Sequence, residues 1–162
     1  MTKDKKRFVD LFAGIGGFHY AMQQFNGECV FASEINKYAI EAYAKNHHTN
    51  ADFDITKIHP ETDIPPFDVL CAGFPCQAFS KAGGQQGFKD KTRGTLFFNI
   101  LTVLETHRPS YILLENVRNL VSHDKGDTWK VITDSLKELG YRLTEKPLIF
   151  RSIIWITPSG LI

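Results

Sequence analysis

Short apolar runs alternate with stretches of helical spacing from one end of this chain to the other, and that alternation leaves few folds open. Arg7 to Phe12 reads as a strand, and Gly17 to Phe25 as a helix with Phe18, Ala21, Met22 and Phe25 on one face. Glu28 to Ser33 is a second strand, followed by a helix from Asn36 to Lys45 in which Tyr38, Ala42 and Tyr43 recur at helical spacing. A short strand is expected at Ala51 to Asp54, and another from Phe67 to Gly73 after the turn at Pro65-Pro66. Thr92 to His107 is helical and Pro109 stops it. Tyr111 to Glu115 is short and apolar, as a strand buried in a parallel sheet must be. Thr128 to Leu139 is a helix closed by Gly140, and Tyr141 to Ile149 begins a last strand. Strands and helices in alternation with short links predict an α/β fold with a doubly wound, mostly parallel sheet.

At 162 residues, 43% apolar and 23% charged, the chain suits one globular domain with a real core. No apolar stretch approaches a membrane span, and Met1 to Arg7 leads into a strand rather than a signal peptide, so a cytoplasmic setting is expected. Cys29, Cys71 and Cys76 are odd in number and lack CxxC spacing, which argues against a disulfide framework or a metal site. With 19 basic and 18 acidic residues the net charge is +1. Nucleic-acid binders usually leave a basic footprint, so any DNA partner has to be argued from motifs instead.

Asp10 to Phe18 joins the first strand to the first helix through Gly14, Gly16 and Gly17, which let the backbone approach a ligand closely. Glu34 follows at the end of the second strand, where an acid accepts hydrogen bonds from ribose hydroxyls. The dinucleotide pattern would need glycine at position 19; His19 stands there, crowding the place of a pyrophosphate. A nucleoside ligand without phosphates fits better, and S-adenosylmethionine is the commonest. The plain alternative is a tight turn, and Glu34 and Asp54 after successive strands weigh against it.

Phe74-Pro75-Cys76-Gln77 places a thiol at the carboxyl edge of the sheet, where open α/β folds put their chemistry. Pro75 has a fixed φ and no N–H, so it stops the ladder and holds Cys76 rigidly. An inert buried thiol is the ordinary fate of cysteine. That reading suits Cys29 and Cys71, whose neighbours are apolar; Cys76 reads as a nucleophile. Glu115 ends its strand at the same edge, and a carboxyl facing a thiol suggests covalent catalysis with acid assistance.

These segments together resemble the amino-terminal half of bacterial DNA (cytosine-5)-methyltransferases of restriction–modification systems. The likeness rests on Asp10 to Phe18, Glu34, Asp54-Ile55-Thr56, Gly73 to Ser80, Gly87 to Phe98 with its Arg93-Gly94-Thr95, and Glu115-Asn116-Val117, and it covers residues 7 to 149. The resemblance implies a Rossmann-like S-adenosylmethionine-dependent methyltransferase fold, truncated at the carboxyl end. It implies that Cys76 adds to C6 of a cytosine flipped out of double-stranded DNA, that Glu115 holds N3, and that Asn116 and Arg93 belong to the catalytic set. Phe12, Gly14, Gly16, Gly17, Glu34, Ile35, Asp54, Ile55 and Pro75 would hold S-adenosylmethionine, with Glu34 on the ribose and Asp54 on the adenine amino group. Family members often carry tryptophan where this chain has Ile35, a smaller face for the adenine. The stretch from Ser80 to Lys91 resembles the family's loop that closes over DNA.

Residues 1–150 are therefore expected to form the donor-binding catalytic domain in part, and 151–162 a divergent tail that a frameshift would explain. The Gln-x-Arg-x-Arg motif and the target-recognition part of the family do not follow. Two readings stand: a catalytic half with doubtful turnover by itself, or an inactive remnant or split-gene subunit that needs a second polypeptide for DNA recognition. A nicotinamide-dependent oxidoreductase is disfavoured by His19 and by Pro75-Cys76-Gln77.

Overall fold

The computed structural model describes residues 5–75, 96–144 and 152–158. Six strands form one sheet in the order β2-β1-β3-β4-β6-β5. They are β1 (Lys6–Leu11), β2 (Gly27–Ser33), β3 (Val69–Gly73), β4 (Tyr111–Asn116), β5 (Tyr141–Thr144) and β6 (Ser152–Pro158). The first four run parallel, and β6 lies antiparallel between β4 and β5.

Side chains alternate across each strand and so sort the core into two layers. Val9 and Leu11 of β1, Leu70 and Ala72 of β3, and Ile112 and Leu114 of β4 face one side. Against them pack α4 (Leu96–His107), through Phe97, Ile100, Leu101 and Leu104, and α5 (Asp127–Glu138), through Ile132 and Leu136. The four α4 positions fall at i, i+3, i+4 and i+7, so one helical face carries them all. Full burial of each such side chain contributes about 1.5–3 kcal/mol, more than helix propensity offers over the same turns. Phe8, Val69 and Cys71 face the other side, against Phe18 and Met22 of α1 (Gly17–Gln23). Tyr43 of α2 (Lys37–His47) packs there with Ala13, Ala32 and Ala51. Asn36 caps α2, its Oδ1 accepting from the N–H groups of Tyr38 at 3.0 Å and Ala39 at 3.2 Å. No helix among the described residues is long and apolar enough to cross a membrane.

Two expectations need correction, and two elements were unforeseen. The first helix stops at Gln23, and Phe25 in the following turn is 80% exposed rather than part of the buried face. Ala51 to Asp54 is no ladder: Asp52 and Phe53 make only isolated bridges to Glu34, because the chain turns back with Phe53 N–H on the Ala51 carbonyl at 2.8 Å. The short helix α3 (Pro60–Asp63) was not foreseen; Pro60 opens it at N1, and its missing N–H costs nothing there. The stretch read as a divergent tail contains β6, which joins β5 to the sheet. Residues 92–95 and 145–149, expected in a helix and a strand, lie outside the described residues.

Gly27, at the turn from α1 into β2, gives a direct test of packing. A Cβ there would stand 2.8 Å from the Met22 carbonyl oxygen and 3.1 Å from the Phe8 ring. Gly27→Ala gains about 0.4–1 kcal/mol through the unfolded chain, and overpacking against backbone costs about 1–3 kcal/mol. The clash wins, so net destabilisation is expected in a urea titration; a stabilised variant would refute it.

Candidate active site

The strand order reverses between β1 and β3, since β2 lies to one side of β1 and β4 beyond β3. Loops leaving the carboxyl ends of such strands diverge and leave a crevice. A cavity of about 460 Å³ occupies it, walled by Phe12, Ser33, Glu34, Ile35, Phe53, Asp54, Ile55, Thr56, Gly73, Pro75 and Leu96.

Glu34 organises the near wall. Its Oε2 accepts the Gly14 N–H at 2.8 Å, and its Oε1 accepts those of Ile35 and Asn36, each at 2.8 Å. Three donors fix the carboxylate, and Oε2 keeps a lone pair for a further partner. On the loop itself Phe12 takes a left-handed conformation, φ 56°, which costs a residue with a side chain about 1–3 kcal/mol. The Ala13 N–H on the Ser33 carbonyl at 3.0 Å and the Gly16 N–H on the Ala13 carbonyl at 2.9 Å hold it there.

Asp54 forms the second acidic point. Its Oδ1 accepts from the Thr56 hydroxyl at 2.7 Å and the Thr56 N–H at 3.0 Å, while Lys57 Nζ lies 3.1 Å from Oδ2. These bonds, the hydroxyl first, hold its pKa down to about 2, so it is a carboxylate at neutral pH. Between the acids the walls are apolar: Phe12, Ile35 and Phe53, the last packed on Phe31 with ring centroids 5.0 Å apart.

Gly73 links the cavity to β4. It stands in register with Glu115, and a Cβ on it would meet Glu115 Oε2 at 3.5 Å. Asn116 is buried, donating Nδ2 to the Phe74 carbonyl at 2.7 Å and accepting the Val117 N–H at 2.8 Å. It grips the chain one residue before Pro75. Cys76 and Arg93 lie outside the described residues.

Of the residues expected to hold a donor, Phe12, Glu34, Ile35, Asp54, Ile55 and Pro75 line this cavity together. Gly14 reaches it through its N–H on Glu34, whereas Gly16 and Gly17 lie outside the lining. Ser33, Phe53, Thr56, Gly73 and Leu96 line it without having been singled out for the donor. Phe53 had a visible signal, an aromatic beside Asp54 in a chain whose Ile35 offers little ring face. His19 needs correction: its ring does not crowd the ligand space but is buried beneath the loop, edge-on to Phe8 and stacked on His47. Burial pushes the Cys29 thiol up to about 11 and the Cys71 thiol well above its usual range, so both stay protonated.

An open α/β sheet with a crevice of this kind defines a broad class of nucleoside- and nucleotide-binding enzymes. The Dnmt2 methyltransferase of S. pombe superposes on it with a TM-score of 0.74 at 28% identity, covering 98% of this chain and 52% of that one. The sequence pattern of C-5 cytosine-specific DNA methylases matches residues 6–152. The chain belongs to the C-5 cytosine-specific DNA methylase family. It is 47% identical over 150 residues to the Type II methyltransferase M.HhaI of Haemophilus parahaemolyticus, covering 90% of this chain and 45% of that protein. To M.BanI of Aneurinibacillus aneurinilyticus it is 56% identical over 143 residues, covering 85% of this chain and 32% of that protein. The chain thus spans less than half the length of these relatives.

Proposed function

We propose that this chain binds S-adenosylmethionine in the crevice and presents Cys76 and Glu115 to a cytosine flipped out of DNA. The observation that carries the proposal is the crevice itself. Two carboxylates stand at a mostly apolar cavity, and Gly73, at the end of the strand leading to Cys76, is in register with Glu115 near the end of β4. The cavity size falls in the range of small-molecule sites. Ribose hydroxyls and the adenine amino group are donors, and Glu34 and Asp54 supply acceptors. Among the described residues no basic side chain lines it, as a nucleoside rather than a phosphate-bearing ligand requires.

When bound, the sulfonium supplies an electrophilic methyl group. Glu34 fixes the ribose, Asp54 takes the adenine amino group, and Phe12, Ile35 and Phe53 cover the purine faces. On the base side, C5 of cytosine is too weak a nucleophile to act alone. The Cys76 thiolate adds to C6, and the electron pair of the C5–C6 bond becomes available at C5 to form the new carbon–methyl bond, while the pair of the sulfur–methyl bond would stay on sulfur and a neutral thioether would leave. Glu115 protonates or holds N3 and stabilises the charge that develops on the ring. Loss of the C5 proton to a base, with expulsion of the Cys76 thiolate, restores the double bond. Unstacking the base costs a few kcal/mol.

Calorimetry on the purified chain tests the donor half directly. Saturable one-to-one binding of S-adenosylmethionine is expected, with no binding of a nicotinamide dinucleotide, whose pyrophosphate finds no cationic side chain among the described lining residues. Absence of donor binding, or preference for the dinucleotide, would defeat the proposal.

A further inference from the structure

Beneath the glycine loop lies a buried group of polar side chains that the proposed reaction does not use. It comprises Asp10 of β1, His19 of α1, and Tyr43 and His47 of α2. Tyr43 donates its hydroxyl proton to Asp10 Oδ2 at 3.4 Å. His19 Nδ1 lies 2.7 Å from that hydroxyl and therefore donates to its oxygen when Asp10 is ionised. The His47 ring stacks on His19, with centroids 4.1 Å apart and planes 11° from parallel.

His47 carries this group up to the loop. Its Nε2 is 3.3 Å from the Ile15 carbonyl oxygen, which also accepts from Asn46 Nδ2 at 3.2 Å. A carbonyl only accepts, so Nε2 bears the proton, and Nδ1 is left buried with no hydrogen-bond partner among the described residues. The same ring fills the space under Gly16, where a Cβ would fall 1.9 Å from Nε2. Gly16 is at φ 95°, a conformation that glycine alone adopts readily. Ring and glycine therefore fit each other. An apolar side chain would fill the volume equally well but could not hold the Ile15 carbonyl. A polar ring kept here with one nitrogen unpaired points to a role in shaping the loop.

We infer that His47 is a positioning residue for the donor site: wedged under Gly16 and bonded to Ile15, it fixes the loop that aims the Gly14 N–H at Glu34. The inference rests on the reading of the crevice as the S-adenosylmethionine site. His47 touches no ligand and acts only through the loop.

The experiment compares His47→Ala and His47→Gln in the full chain by amide hydrogen exchange and by calorimetry with S-adenosylmethionine. Gln offers an N–H donor toward Ile15; Ala offers none. In His47→Ala, exchange at Gly14 is expected to rise about tenfold and donor affinity to fall about tenfold, the worth of one lost hydrogen bond. Leu70, in the middle of β3, should keep its protection, which separates a loop effect from loss of global stability. His47→Gln should recover most of both losses. If His47→Ala fails to fold, His47→Asn, too short to reach Ile15, takes its place beside His47→Gln. Unchanged Gly14 exchange, unchanged donor affinity, or equal losses with Ala and Gln would each overturn the inference. A wild-type chain that binds no donor would overturn the reading of the crevice itself, whatever the exchange at Gly14.

Discussion

Complemented by a second polypeptide that supplies DNA recognition, the Cys76→Ser chain should form no covalent adduct with DNA carrying 5-fluorocytosine, while the complemented wild-type chain forms one that survives denaturing electrophoresis. Fluorine at C5 cannot leave as a cation, so once methyl transfer has occurred the thiol cannot be expelled and the complex is trapped. Slow turnover still accumulates adduct with time, which makes trapping more sensitive than a rate assay. A thiol of ordinary pKa near 8.5 is a few per cent thiolate at pH 7; a serine hydroxyl is essentially never ionised there. Removing such a nucleophile costs on the order of 10³-fold or more. Cys29 and Cys71 offer no substitute, because burial keeps both protonated on the strands. Asn116 holds the Phe74 carbonyl at 2.7 Å, so the chain enters Pro75 from a fixed point and Cys76 follows directly. Adduct of undiminished yield in Cys76→Ser, or wild-type adduct mapped to another residue, would remove Cys76 from its assigned role.

The parts of the fold that could be read in the sequence are those whose signals are local. The run from Tyr111 could only be a buried strand, and the helical spacing of Tyr38, Ala42 and Tyr43 marked α2. Glu34 was readable as a cavity residue because it follows the carboxyl end of β2 beside the crevice, and Asp54 because it was expected to end the next strand, though it reaches the cavity from a turn instead. Features set by distant pairing were not. The segment Ser152–Pro158 is plainly strand-forming in composition, yet its seat between β4 and β5 depends on which sheet edge is open when it arrives. The reverse happened at Ala51 to Asp54, where strand-like residues face only Glu34 and the chain turns back. Phe25 continues the helical spacing of α1 but falls beyond its end. His19 drew notice only as a departure from a glycine pattern. No local rule pairs it with Tyr43, 24 residues away, or places the Asp10 carboxyl in the middle of the core.

That buried pair leads to the second large effect, on stability between pH 4 and 7. Asp10 faces Tyr43 from α2, the His19 backbone N–H from α1, Cys29 from β2, Glu34 just after β2, and Cys71 from β3. Desolvation dominates and raises its pKa from the usual 3.8 to about 7. Folding therefore favours protonated Asp10, a contribution of about 4 kcal/mol that is present below pH 3.8 and lost as pH rises to 7. His19 is shifted the other way, from 6.5 to about 4, by desolvation and then by the neighbouring His47. Its contribution, about 3 kcal/mol, is present above pH 6.5 and lost as pH falls to 4. Over the shared window the two slopes have opposite sign and nearly cancel, so this cluster leaves the wild-type chain almost indifferent to pH. Asp54, held at about 2, adds its own loss only below pH 4. Asp10→Asn keeps the shape and removes one slope. Its unfolding free energy from urea titration should fall steadily from pH 6.5 to 4, by about 3 kcal/mol relative to wild type. Parallel pH profiles for the two proteins would mean that Asp10 and His19 do not titrate as a buried, opposed pair.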